Sequence, residues 1–503
     1  MPLKIAPHLT AIKLRQKIER MFELSAAKIL NLEKSWQPDR GTPVFTVKGK
    51  YTSRGWTEWT QGFQFGSALL QFDATGERQF LELGREKTVE LMATHVSHMG
   101  VHDHGFNNIS TYGNLWRLMR EGKIPFNEHE QNFYELALKV SGAVQAARWT
   151  QTAPGQGYIY SFNGPHSLFV DTMRSLRSLA VAHQLGHVLM GERDQKISLL
   201  ERLISHARTT ARYNIYRGQG RDAFDVRGRT AHESIFNLND RGYRCPNSQQ
   251  GYSPFSTWTR GLAWAVLGYA EQLEFVAGLP SAQVEQACSP KWSRQYARFV
   301  PKGDRSSSSG LAKSIRGLIA TSVKESADAL LEAALATADF YLANSCADGI
   351  PIWDTGAPNL HRLGDYLNKP SDPFNRWEPV DSSAAAIAAQ GLIRLGNYLS
   401  AKGNKKNGAR YRQAGLTVAD TLFDDPYLSV NPRHQGLILH SVYHRPNGWD
   451  HIAPGQKVPN GESSMWGDYH ARELALLLLR EARSESYLTF FCSQRQVQRG
   501  SGH

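Results

Sequence analysis

The stretch Ser256-Thr257-Trp258-Thr259-Arg260-Gly261-Leu262-Ala263-Trp264-Ala265 sets one arginine between two tryptophans at the head of an apolar run. A helix beginning near Gly261 would hold Trp258, Arg260 and Trp264 around one opening. Two aromatic walls and a planar guanidinium suit a sugar ring carrying a carboxylate, which arginine grips with two parallel hydrogen bonds. The competing reading is a helix start with two core tryptophans and a surface arginine, because aromatic rings pack by default.

Carboxylates supply the second ingredient. Asp103 lies in His102-Asp103-His104-Gly105-Phe106, a turn beside aromatics and histidines where an acid can do catalytic or sugar-gripping work. Asp171 stands directly ahead of a strongly apolar helix, and taken alone it reads as an N-cap accepting backbone N–H groups. Both acids precede helices, and alternate hairpins of a helical toroid present such starts on one rim. Two carboxylates converging on a sugar is what glycosidic chemistry needs. His232 and Gln250 would bring an imidazole and an amide to the same rim, and Trp59 another aromatic at a helix entry. His95, His98, His102 and His104 cluster in sequence, but no cysteine joins them and their spacing is no standard zinc pattern, so no metal and no cofactor is expected.

These residues need a scaffold. Apolar residues recur at spacings of three and four over 66–72, 80–92, 134–147, 172–189, 196–215, 261–275, 326–342, 382–399, 408–422 and 468–481, while strand-like alternation is scarce. Turns rich in Gly, Pro, Asn and Asp separate the runs. About ten to twelve helices with no linker-like break predict an all-α toroid of helical hairpins. Residues 1–492 are expected to form a single catalytic domain, with a basic, serine-rich insertion at about 287–317 and a polar tail over 493–503. Asp381, ahead of an alanine-rich helix, reads as a cap. Asp468 reads either as a cap or as part of an outer subsite with Trp466.

Bulk properties narrow the classes. The chain has 503 residues, 41% hydrophobic and 21% charged, with no apolar run of membrane-spanning length. Its N-terminal stretch is amphipathic rather than a secretory signal, so a cytoplasmic location is expected, or a periplasmic one after removal of a leader. Four scattered cysteines read as free thiols. The net charge of +12 comes without the basic modules of nucleic-acid binders; a diffuse positive field that favours a polyanionic substrate is equally consistent with it, and charge alone does not decide. Neither a nucleic acid nor a membrane is an expected partner.

Seven blocks in order carry a family resemblance. They are Trp59-Thr60-Gln61-Gly62-Phe63, His102-Asp103-His104-Gly105-Phe106, Val170-Asp171-Thr172-Met173, Gln250-Gly251-Tyr252-Ser253, the Trp258–Trp264 block, Asp381-Ser382-Ser383 with its alanine run, and Trp466-Gly467-Asp468-Tyr469. Together they resemble the unsaturated glucuronyl hydrolases, glycoside hydrolase family 88. The resemblance implies an (α/α)6 barrel and hydrolysis of lyase-generated oligosaccharides, sulfated or not, that end in a 4,5-unsaturated uronic acid. It implies Asp171 as the acid that protonates C4, shielded so that it keeps its proton, and Asp103 as its partner. Trp59, His102, His232, Gln250, Trp258, Arg260 and Trp264 would bind substrate. Leu262, where the family commonly has glutamine, and His104 depart from the pattern, and the 287–317 segment has no counterpart. Alternatives are an unsaturated rhamnogalacturonyl hydrolase, a silent carbohydrate-binding protein on the same barrel, and a sugar epimerase, which would pair histidines rather than carboxylates.

Overall fold

The computed structural model describes residues 2–55, 58–152, 156–288 and 308–491, the side chains of 38 and 308–321 excepted. Most of the basic 287–317 insertion, and the 493–503 tail, lie outside the described residues. Among the described residues twelve helices form two concentric rings. The outer ring is α1 (Ala11–Ser35), α3 (Arg78–Leu91), α5 (Glu128–Ala147), α7 (Leu199–Tyr213), α9 (Ser308–Asn344) and α11 (Lys405–Leu422). The inner ring is α2 (Gln61–Thr75), α4 (104–120, with a wide turn at Ile109–Gly113), α6 (172–184, stepped at Leu176), α8 (Thr259–Ala277), α10 (Ser382–Ala401) and α12 (Met465–Ala482).

Composition decides which ring a helix joins. In α1 the buried residues Leu14, Ile18, Met21, Phe22, Ser25, Ile29 and Leu32 recur at three and four spacing, one apolar stripe on a solvated rod. In α8, α10 and α12 nearly every residue is buried, as a helix enclosed on all sides requires. The inner helices contact one another in the order α2, α4, α6, α8, α10, α12 and back to α2, which closes the barrel. Phe63, Phe106, Trp264, Tyr469 and His470 fill its axis, with neighbouring ring centroids 4.9–5.7 Å apart. Arg174 and Arg177 of α6, with Glu271 of α8 and Glu473 of α12 one to two turns beyond the rings of their helices, form a fully buried ion cluster. The distal end is covered by the segment after α12: Leu488 accepts from Arg394 (3.0 Å), and Phe491 packs on Phe275. The all-α architecture is therefore as expected.

Short strands interrupt it. Ser167–Phe169, Glu233–Phe236 and Tyr243–Asn247 form a three-stranded antiparallel sheet at the open end. Thr172–Leu189 does not run helical to its end; the helix stops at Gln184, and Leu189–Met190 pairs with Lys196–Ile197. Among the described residues no helix is long and apolar enough to cross a membrane, and Cys245, Cys288 and Cys346 are free thiols.

Candidate active site

All six inner helices begin at the same rim, and the sequence-predicted residues gather there. Asp103 and Asp171 occupy the positions before α4 and α6, yet neither side chain caps its helix. The capping alternative for Asp171 is thereby set aside, and both carboxylates remain for other work. His102 Nε2 lies 3.2 Å from Asp171 Oδ1 and 3.8 Å from Asp103 Oδ1, so one imidazole edge faces both acids. Its backbone carbonyl is held by Gln145 Nε2 (2.8 Å) and Ser175 Oγ (2.7 Å), which ties the turn to α5 and α6. The acids are 7% and 8% exposed, a depth at which charge is poorly solvated.

Burial and charge act differently on the three groups. Burial pushes the Asp103 carboxyl upward and the nearby Asp171 charge adds to this, with His102 opposing. Burial would raise Asp171 too, but His102 outweighs it and holds Asp171 below the ordinary carboxylate range. Burial works against charge on His102, yet the two carboxylates win and raise it above 6.5. This corrects the expectation that Asp171 keeps its own proton. In the free protein an imidazolium 3.2 Å away favours the ionised form of Asp171, while burial and the Asp171 charge favour the protonated form of Asp103.

The unforeseen sheet places His232. Ser167–Phe169 pairs with Glu233–Phe236, and the ladder continues as Val170 N–H donates to His232 O (3.0 Å), which lays His232 beside Asp171. His232 Nδ1 accepts from the backbone N–H of Gln249 (3.1 Å) and of Gln250 (3.4 Å). A nitrogen that accepts carries no proton, so neutral His232 is the Nε2–H tautomer. Burial lowers its pKa and keeps it neutral. Its ring packs on Phe169 (4.4 Å) and Trp258 (4.7 Å), and Nε2 has no partner among the described residues.

Helix α8 begins at Thr259, two residues earlier than expected, with Trp258 at the capping position. Arg260 is 1% exposed rather than open. Its Nη2 donates to Gln250 Oε1 and Tyr443 O (both 2.8 Å), and its Nη1 to Val442 O and Asp381 Oδ2 (3.3 Å). Trp258 and Trp466 lie 4.6 and 4.7 Å from the guanidinium. The free two-pronged grip expected of Arg260 is therefore not available here, because four protein acceptors already occupy its terminal nitrogens. Trp264 is 2% exposed and belongs to the axial stack, so its packing matches the core reading of that ring. Trp59, half-buried, stacks on Trp466 at 5.1 Å.

Other residues resolve by their partners. His95 engages Gln61 and Asn107, and His104 engages Ser141 and the His98 carbonyl, so both rings are spent on hydrogen bonds, and burial holds each at about 4. Among the described residues no group of three His, Cys, Asp or Glu is arranged to hold a metal. Asp468 accepts from Tyr51 Oη and the Leu437 and Ile438 N–H groups, so it straps a loop, and Ser464 rather than Asp468 caps α12. Leu262 is buried in the core. Two residues at the site carry no signal in the sequence. Exposed Phe162 stacks on His102 (6.1 Å, 22°), and buried Asp354 accepts from Tyr252 N–H (2.8 Å), anchoring the Gln250 loop. A lone phenylalanine in a polar loop has no telling spacing, and Asp354 is far from the Gln250 loop along the chain.

Gly105 shows how tightly the rim is built. A Cβ there would come 2.5 Å from Ser175 Cα, so only glycine lets α4 approach α6 this closely. Gly105→Ala is expected to cost about 1–3 kcal/mol as overpacking. Because it pries Asp103 from Asp171, activity should fall more than stability; chemical denaturation and kcat/KM on one preparation check this.

No family model matches the chain. It is 24% identical over 452 residues to an unsaturated glucuronyl hydrolase of Bacillus sp. strain GL1, covering 88% of this chain and 92% of that one. It is 23% identical over 423 residues to another from Formosa agariphila, covering 83% and 78%. The crystal structure of the Bacillus sp. GL1 enzyme, described as responsible for the degradation of glycosaminoglycan, superposes with a TM-score of 0.64 at 21% identity, covering 95% of this chain and 98% of that one. The fold is that of the unsaturated glucuronyl hydrolases. The resemblance carried by the seven sequence blocks is borne out, and with it the (α/α)6 barrel.

Proposed function

We propose that this chain is a glycoside hydrolase that removes a 4,5-unsaturated uronic acid from the non-reducing end of oligosaccharides by hydrating the C4=C5 bond. The observation that carries the reading is the buried Asp103–His102–Asp171 group, two uncapping carboxylates facing one imidazole at the open rim. The names of the relatives agree with it, and the net charge of +12 favours an anionic substrate.

An enol ether is protonated on carbon, which takes an acid aimed at C4. Asp171 takes that part. The substrate carboxylate and the loss of water both raise its pKa, and His102 hands it a proton across their 3.2 Å contact. The C4=C5 electron pair takes the proton and the ring oxygen stabilises the cation at C5. Water adds to C5 and gives its proton back to Asp171. The C5 hemiketal opens, and C1 becomes an aldehyde as the next sugar leaves with a hydroxyl. Asp103 binds ring hydroxyls, and Trp59 and Trp258 wall the sugar, with Trp264 in the packed layer of the barrel axis. His232 and Gln250 present N–H donors to the uronate, and Arg260 braces Gln250. The oligosaccharide, sulfated or not, is the only partner this scheme needs, and residues 1–492 act as one catalytic domain.

Turnover in D2O tests the chemistry. Hydration places deuterium on C4 of the product and destroys the double bond, which proton and carbon NMR detect. Release of an intact unsaturated sugar without deuterium would rule it out in favour of ordinary glycosidic hydrolysis.

A further inference from the structure

The Asp381 carboxylate divides its two oxygens between two tasks. Oδ1 caps α10, accepting from Ser383 N–H (3.0 Å), Ser383 Oγ (2.5 Å) and Ala384 N–H (3.4 Å). Oδ2 takes Arg260 Nη1 at 3.3 Å, and the residue is wholly buried. A cap alone needs only one oxygen, so the second is surplus to the helix. Arg260 in turn reaches Gln250 Oε1 at 2.8 Å. Arginine carries donors only, so the amide oxygen of Gln250 must face it, and the amide NH2 must face away. The Gln250 backbone N–H meanwhile helps fix the His232 tautomer, leaving His232 Nε2–H as a donor. One chain of contacts therefore turns an amide and an imidazole into donors on the same side.

We infer that Asp381 is a positioning residue which, through Arg260, holds the Gln250 amide with its NH2 toward the substrate carboxylate. The inference rests on the proposed function for the identity of that anion, though not for the geometry. Asp381 touches no substrate. It fixes the direction in which Arg260 presents its fork, and Val442 O and Tyr443 O each take the second hydrogen of a terminal nitrogen. Asparagine caps helices as well as aspartate does, so Asp381→Asn keeps the helix start and removes only the charge that steers Arg260. Asp450 lies close enough to favour the charged guanidinium in its place, which should preserve the fold.

A double-mutant cycle tests this with an unsaturated disaccharide as substrate. Asp381→Asn should raise KM about tenfold, the worth of one hydrogen bond to a charged group, with kcat nearly unchanged. In a Gln250→Ala background the same change should move KM by less than about twofold, because the contact it acts through is gone. An unchanged KM in Asp381→Asn, or an equal rise in both backgrounds, would overturn the proposal. If Asp381→Asn does not fold, Asp381→Ser, which also caps a helix, takes its place in the cycle: a KM rise confined to the background that keeps Gln250 supports the proposal, and any other pattern overturns it. A crystal structure of the single variant decides independently of turnover. Gln250 should have left Arg260, and Gln250 still seated on it refutes the role of Asp381. A wild-type protein inert toward the disaccharide would sink the proposed function, while the crystallographic result would still decide this inference.

Discussion

Asp171→Asn is expected to lower kcat by about 10²- to 10⁴-fold, the usual worth of a positioned general acid and base, while the unsaturated disaccharide still binds. The size of the loss follows from chemistry: an amide can neither deliver a proton to C4 nor take one from the attacking water. The survival of binding and fold follows from geometry, because Asp171 makes no capping bond whose loss would loosen α6. A second signature accompanies it. The two carboxylates raise His102 above its ordinary value, so losing one charge should bring its titration down, which NMR of the imidazole reads directly. A variant with normal turnover would remove Asp171 from the reaction, and an unfolded one would show that its role is structural.

Acid should unfold this protein steeply between pH 6.5 and 4. Burial holds His95, His104, His440 and His444 at about 4 and His206 and His470 at about 3, all well below 6.5. In that window the unfolded chain binds six protons that the native chain refuses. The stability of these neutral rings is complete above pH 6.5 and drains away as pH falls, at roughly 1.4 kcal/mol per pH unit for each histidine. His102, raised instead of lowered, works the other way: its contribution is present below pH 6.5 and is lost as pH rises through its folded value. Asp354, pushed up to about 6, and buried acids such as Asp103 and Asp450 also offset part of the slope. Six histidines outweigh them above pH 5. Chemical denaturation at pH 7, 6 and 5 checks this, and a stability independent of pH over that range would contradict it.

Much of this site was legible because helix starts are written locally. The apolar periods located five of the six inner helices, all but α4, and Asp103, Asp171 and Trp59 sit at helix heads as expected. What the sequence could not show was long-range pairing. Strands of three to five residues carry too few alternations to register, so the sheet that sets His232 beside Asp171 is not legible in the sequence. Arg260 looked free because its acceptors, Val442 O, Tyr443 O and Asp381, lie far along the chain. Asp381 was read as a cap; it is one, and its second oxygen is spent on Arg260. The ionisation of Asp171 depends on an imidazole 3.2 Å away, a distance no residue pattern encodes.

The most direct measurement follows the ultraviolet absorbance of the enol carboxylate in a panel of lyase-generated unsaturated disaccharides, with a rhamnogalacturonan fragment included. The wild-type protein is expected to abolish the absorbance on at least one uronate-terminated disaccharide, and Asp171→Asn to leave it intact. Absorbance that persists on every uronate, or that Asp171→Asn removes as fast as the wild type, would contradict the hydration chemistry proposed for this site.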